Sequence, residues 1–120
     1  MASEESVVRL RHGTTTKRAE AILLKGPDLR FRDPGALDLS DGFSAARMTS
    51  TCPYGSPEVV AQGKARLFPD EGGPAIIEFD VPESLVRQAE IKGEVRFAPG
   101  YGLEELLAIW PLIAKKVVPL

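Results

Sequence analysis

The stretch Ala75-Ile76-Ile77-Glu78-Phe79-Asp80-Val81 carries the clearest secondary-structure signal in this 120-residue chain. All its odd-numbered residues are apolar, whereas two of its three even-numbered residues are carboxylates. A period of two is typical of a strand with one face buried and the other facing solvent. We therefore predict a half-buried strand over these residues.

Residues 93–98, on the C-terminal side of that strand, alternate in the same way. Val95 and Phe97 fall on one face, and Glu94 and Arg96 fall on the other. The pattern predicts a second strand whose Glu94 points away from the core. The other elements predicted in this half are a short helix within 82–91, a helix at 103–109 that ends before Pro111, and a last strand around Val117 and Val118.

Capping signals on the N-terminal side mark two helices. The threonines at 14–16 offer an N-cap, and Gly26-Pro27 a stop, for a helix over 15–25. Ser56-Pro57-Glu58 is typical of the start of a second helix, whose predicted core stripe is Val60, Lys64, Leu67 and Phe68. The other predictions are a strand at 6–10 that is broken by His12-Gly13-Thr14, a short strand at 42–46, and loops over 27–41 and 48–55.

Composition excludes several classes of protein. The chain has 15 Lys and Arg against 17 Asp and Glu, with one His and one Cys. That set provides no disulfide, no structural zinc site and no basic stripe for nucleic acid. The chain also lacks an apolar run of the roughly 20 residues that a membrane-spanning helix needs. We expect a single α+β domain over residues 1–120, in the cytoplasm because the acidic N-terminus does not resemble a signal peptide.

Familiar catalytic motifs are missing, including the phosphate loop and the nucleophile elbow. A nucleophilic pair would need His12 as its base, and the sequence does not place Cys52 or any serine beside it. What remains is three stretches with residue types that bind ligands: His12-Gly13-Thr14, Gly42-Phe43-Ser44, and Glu94 to Gly100. A histidine followed by glycine offers a ring nitrogen to a ribose hydroxyl and a bare backbone to an amide-bearing ring, although the same tripeptide is also common at a polar strand end.

The order and content of these stretches resemble the ADP-ribosyltransferase superfamily. In that superfamily a first strand ends in His-Gly-Thr and a helix of the form Ala-x-x-Ile-x-x-x-Gly follows. A Gly-Phe-Tyr or Ser-Thr-Ser strand comes next, and a late strand carries the catalytic glutamate. The matching positions here are His12-Gly13-Thr14, the helix segment 20–26, Gly42-Phe43-Ser44 and Glu94. The match is vaguest over 47–66.

The resemblance implies a split antiparallel sheet with two or three short helices. It implies that NAD, a consumed substrate, binds across the cleft between the half-sheets, with no metal. The implied NAD-binding residues are His12, Gly13, Thr14, Phe43 and Ser44. Glu94 is the implied catalytic residue, which stabilises an oxocarbenium-like ribose. Because His12 is expected at a strand end facing the cleft, His12→Ala is predicted to weaken NAD binding and to leave the fold intact.

The superfamily also implies a biological setting. Small bacterial members are toxins or effectors, which act in the cytoplasm or are delivered without a signal peptide. The acceptor of ADP-ribose would be an unknown protein or nucleic acid, or water, and an inhibitory or antitoxin protein would be a partner.

The chain departs from the family pattern at several positions. Ser44 stands where one branch has a tyrosine over nicotinamide, and Ser44-Ala45-Ala46 stands where another has Ser-Thr-Ser. Tyr54 and Tyr101 are alternative aromatic platforms. Lys92, two residues before Glu94, disfavours arginine side chains as the acceptor.

These departures leave two alternative functions open. One is an inactive protein-binding module of the same fold. The other is an RNA 2′-phosphotransferase, which would need Arg30 and Arg32 around the phosphate. Glu94 is also a candidate surface residue paired with Arg96, in which case Glu78 or Asp80 would be the carboxylate to test.

Overall fold

The computed structural model describes residues 6–27, 43–48, 56–91 and 94–120. Its strands are β1 (Val7–Thr15), β2 (Phe43–Arg47), β3 (Pro74–Pro82), β4 (Glu90–Ile91), β5 (Glu94–Phe97) and β6 (Lys115–Pro119). They form an antiparallel sheet in the order β4-β5-β2-β1-β3-β6. The α-helices in this part of the chain are α1 (Thr16–Lys25), α2 (Pro57–Leu67), α3 (Glu83–Ala89) and α4 (Leu103–Ile109). Single 3-10 turns lie at Pro69–Glu71 and Trp110–Leu112.

The antiparallel α+β architecture is confirmed, and so are the four helices that the residue pattern predicts, but the two or three helices implied by the resemblance are too few. Four α-helices rather than two or three occur in the described residues, because both seven-residue helices, α3 and α4, form. Helices this short are not stable alone in water. Burial of Leu85, Val86 and Ala89 from α3, and of Leu103 and Leu106 from α4, stabilises them against the sheet. None of the described helices is long and apolar enough to cross a membrane.

β1 is longer than the sequence pattern predicts. The predicted break at His12-Gly13-Thr14 was wrong, because the strand continues through the tripeptide to Thr15. Its partner explains the difference: β3 pairs with β1 from Val7 opposite Pro82 to Thr15 opposite Pro74. This continuous ladder outweighs the low strand propensity of Gly13.

α1 begins and ends where its capping residues predict. The side chain of Thr15 accepts a hydrogen bond from the backbone N–H of Arg18, and Gly26, with φ 89°, ends the helix. Glycine suits that left-handed conformation because it has no Cβ. Ala19 is buried and Ile22 packs against the core, so α1 covers the apolar face of the sheet.

Aromatic rings join the strands on that apolar face. Phe43 of β2 and Phe79 of β3 have ring centroids 5.8 Å apart, and Trp110 lies 5.4 Å from Phe79 and 6.3 Å from Phe43. All three side chains are buried. The core therefore spans strands on both sides of β1.

α2 packs on β1 and β3 with a different set of residues from the predicted stripe. The pattern predicted Val60, Lys64, Leu67 and Phe68. Leu67 is instead exposed, and Pro57 and Ala61 are the buried residues of the helix. These two face Gly13, because a Cβ built on that glycine points at their backbone atoms. The side chains of Leu10 and His12 project from the opposite face of β1, since side chains alternate along a strand.

Candidate functional site

β1 and β2 are paired at one end and part at the other. Arg11 of β1 lies opposite Ala46 of β2, and the described residues show no β1–β2 pair between this one and Phe43. Phe43 to Ala45 pair with β5 across the other edge of β2. If the β1–β2 ladder continued, Gly13 would lie opposite Ser44. We call this point the seam. It is defined by His12, Gly13, Ser44 and Lys64, whose side chain reaches Gly13 from α2. It divides the sheet into the halves β4-β5-β2 and β1-β3-β6.

Two side-chain donors replace the missing ladder at the seam. Nδ1 of His12 hydrogen-bonds the backbone oxygen of Ser44. Nζ of Lys64, on α2, donates to the backbone oxygen of Gly13 at 3.0 Å. A buried carbonyl without a donor costs about 1–3 kcal/mol, so these two bonds allow the strands to part without that penalty.

His12 is buried within β1 rather than exposed at a strand end. The residue is 8% exposed, and its ring stacks on Phe43 with centroids 4.1 Å apart. Burial, together with the nearby Lys64 ammonium, lowers the pKa of His12 to about 3, against the raising effect of the Ser44 bond. The imidazole is therefore neutral at pH 7. Because the Ser44 oxygen only accepts, the proton lies on Nδ1 and the lone pair on Nε2.

Gly13 is needed for the packing of α2. A Cβ at this position would lie 2.1 Å from the backbone oxygen of Pro57 and 2.9 Å from the backbone nitrogen of Ala61. Both distances are below van der Waals contact, and both atoms belong to the helix backbone. Close approach of α2 is thus a reason for glycine here that does not involve a ligand.

The remaining implied NAD-binding residues are divided between the core and the seam. Thr14 is fully buried, opposite Ala75 of β3. Phe43 is buried under the His12 ring, and Ser44 is half-buried with its carbonyl at the seam. The structure therefore brings His12, Phe43 and Ser44 together, with Thr14 further along β1.

Glu94 is the first residue of β5 and points away from the core, as its alternation predicts. Its side chain is 43% exposed and forms an ion pair with Arg96. Arg96 lies opposite Ser44, so Glu94, Arg96 and the Ser44 side chain share one face of the sheet. The His12 ring stacks on Phe43, which belongs to the other face. His12 and Glu94 therefore project from opposite faces.

The face that carries Glu94 is the face on which α2 lies, because Gly13 would occupy the same register row as Ser44. This face carries the Glu94 carboxylate on β5, and at the seam it carries the Lys64 ammonium, which donates to the Gly13 carbonyl. The carbonyl and the ammonium can hydrogen-bond a polar organic ligand, and the carboxylate can stabilise positive charge. In the described residues, no group of three His, Cys, Asp or Glu side chains could hold a metal ion.

Several candidate residues lie outside the described part of the chain. These are Arg30, Arg32, Cys52, Tyr54 and Lys92. Tyr101 is described, and it lies 63% exposed in the turn between β5 and α4.

Lys64 is the seam residue that sequence reasoning missed. Its partner, Gly13, is 51 positions away in the chain, and the pattern placed Lys64 on a core stripe. No local signal marks a contact of this range. No protein-family model matches the chain, and comparison with curated proteins and with solved structures finds no significant match either.

Proposed function

We propose that this chain is an NAD-dependent enzyme of the ADP-ribosyltransferase type, which transfers ADP-ribose from NAD to a protein or nucleic-acid acceptor, or to water. The observation that carries the proposal is the seam. There the sheet parts beside Gly13, and Glu94 of the far half projects from the face on which α2 meets Gly13. A parted sheet with a carboxylate on the same face agrees with the cleft that the sequence resemblance implies.

The proposed reaction breaks the C–N bond between nicotinamide and ribose. The electron pair of that bond leaves with nicotinamide, which becomes neutral, and positive charge develops at C1′ of the ribose. The Glu94 carboxylate is the group on this face that would stabilise the charge. The nucleophilic atom of the acceptor then bonds to C1′ and loses its proton to solvent.

His12 has a positioning role in this proposal. Its ring is buried on the core side, and its bond to the Ser44 carbonyl holds β2 at the seam. Direct contact with the ribose would require the imidazole to leave Phe43 and break that bond. We therefore assign ligand contact to the backbone of Gly13 and Ser44, and assign to His12 the placement of Ser44.

The test is release of nicotinamide from NAD by the purified protein. We expect wild-type turnover to fall about a hundredfold or more in Glu94→Gln, with little change in NAD affinity, because the carboxylate acts on the transition state. The matched control is Glu20→Gln, which neutralises an exposed carboxylate on α1. If Glu94→Gln keeps the wild-type rate, the assignment of Glu94 is refuted, and Glu78 and Asp80 become the carboxylates to change.

A second candidate function is a protein-binding module that uses the same fold without catalysis. The observation that favours it is the pairing of Glu94 with Arg96 and of Gly13 with Lys64, which together occupy both groups that the reaction needs. Incubation with labelled NAD and a broad panel of lysates separates the two. Labelled targets or released nicotinamide support the enzyme, and neither product across the panel favours the module.

A further inference from the structure

Lys64 lies where an amide-bearing ligand would bind in the proposed site. Its Nζ donates to the Gly13 carbonyl at 3.0 Å, and among the described residues no residue of β2 pairs with Gly13. The ammonium is also close enough to His12 to depress the pKa of that histidine. The hydrogen bond to Gly13 and the effect on the pKa of His12 therefore both place the Lys64 ammonium at the seam.

The position of this ammonium is set by helix packing. α2 approaches β1 so closely that the backbone of Pro57 and Ala61 leaves no room for a Cβ at Gly13. Lys64 lies one helical turn after Ala61 on the same helix and is half-buried. The packing of α2 on β1 therefore fixes the Lys64 side chain beside the Gly13 carbonyl.

We propose that Lys64 determines which ligands the seam accepts, by holding the Gly13 carbonyl until a ligand amide replaces it and by repelling a positively charged ring. This inference rests on the proposed function, because it takes the nicotinamide end of NAD as the entering group. The carboxamide N–H of nicotinamide and the Lys64 ammonium compete for the same acceptor.

Charge distinguishes the two ligands that carry this amide. The nicotinamide ring of NAD is a cation, whereas free nicotinamide is neutral. Two like unit charges a few ångströms apart near a protein surface repel strongly enough to change an affinity by tenfold or more. Lys64 therefore penalises NAD more than nicotinamide, and it favours the shift of positive charge from the nicotinamide ring to C1′ during cleavage.

The experiment is calorimetric titration of NAD and of nicotinamide into the full chain and three Lys64 variants. Lys64→Met removes both the donor and the charge, and we expect NAD affinity to rise about tenfold, which is about 1.4 kcal/mol. Lys64→Gln keeps a neutral donor, so NAD affinity should rise while nicotinamide affinity stays at the wild-type value. Lys64→Arg keeps the charge and should behave as wild type. Lys25→Met, at an exposed position on α1, is the control and should change neither affinity.

The outcomes separate this inference from the proposed function. If wild type binds NAD and neither Lys64→Met nor Lys64→Gln binds it more tightly, the inference is overturned and the proposed function stands. If neither wild type nor any variant binds NAD or nicotinamide, both are overturned. Circular dichroism and melting identify a variant that does not fold. If Lys64→Met is such a variant, the affinities of Lys64→Gln for NAD and for nicotinamide decide whether the inference stands.

Discussion

The half-sheet β1-β3-β6 is held by long backbone ladders, whereas the half-sheet β4-β5-β2 has short ones. β3 pairs with β1 along its whole length and with β6 from Ala75 opposite Pro119 to Phe79 opposite Lys115. In the other half, the described pairing of β2 with β5 extends from Phe43 to Ala45, and β4 contributes two residues. The second half therefore depends more on side chains for its position.

Arg47 illustrates how side chains hold the second half. Its guanidinium donates to Glu90 of β4 at 2.7 Å and to Glu83 of α3 at 3.0 Å. These hydrogen bonds raise the pKa of Arg47 above its usual value. The arrangement ties the end of β2 to α3 and β4. The difference between the halves is the extent of their ladder pairing, and the candidate site lies at the boundary where long ladders give way to side-chain contacts.

The largest expected effect comes from Gly13→Ala, which would displace α2 from the ladder half β1-β3-β6. The new Cβ would overlap the backbone of Pro57 and Ala61, so we expect the free energy of unfolding to fall by about 3 kcal/mol or more. Gly63→Ala is the matched control, because a Cβ there meets nothing within 4 Å and should stabilise α2 by about 0.5–1 kcal/mol. Urea unfolding measures both. Equal stability of the two variants would contradict the packing of α2 on Gly13.

His12→Ala is expected to destabilise the protein nearly as much. The structure reverses the expectation of an intact fold, because the substitution removes a buried ring from Phe43 and leaves the Ser44 carbonyl without its donor. Together these losses amount to about 3 kcal/mol. Tyr101→Ala removes an exposed ring and should change stability by no more than about 0.5 kcal/mol. A His12→Ala protein with unchanged melting and weaker NAD binding would restore the ligand role of His12.

Acid should weaken the seam through the same histidine. Unfolded His12 binds a proton below about pH 6.5, while in the folded protein its pKa is about 3. The unfolded state therefore holds more protons in this window, and the contribution of His12 to stability falls as pH falls from 6.5 toward 3. Between pH 7 and pH 5 we expect a loss of about 2 kcal/mol. His12→Gln should not show this loss of stability. If the free energy of unfolding of both proteins falls in parallel between pH 7 and pH 5, the prediction is refuted.

The smallest expected effect is that of Arg47→Met, which tests whether side-chain contacts stabilise the half-sheet β4-β5-β2. Its hydrogen-bonded pairs are partly exposed, so we expect a loss of about 1 kcal/mol. Amide hydrogen exchange should become faster in β5 and remain unchanged in β1 and β3. Arg9→Met, which breaks a more exposed pair with Asp80 on the ladder half, is the control and should accelerate exchange in neither half.

Local signals predicted most of the elements but little of the candidate site. The alternation at 75–81 is confirmed as β3, and the caps at Thr15 and Ser56 are confirmed as the starts of α1 and α2. The site could not be assembled in the same way. The Lys64–Gly13 and His12–Ser44 bonds join residues 51 and 32 positions apart, and neither bond leaves a periodic or capping signal.

Residue pattern alone was sufficient for the α+β class, the strand faces of β3 and β5, and the outward direction of Glu94. These features depend on the local period of side chains and on caps formed within one helical turn. Packing of distant segments was needed for the rest. Pairing with β3 extends β1 through His12-Gly13-Thr14. Tertiary packing also separates β1 from β2 at the seam and places α2 against Gly13. The physical reason is that a long ladder and a close helix contact contribute more free energy than the weak local preference of any one residue.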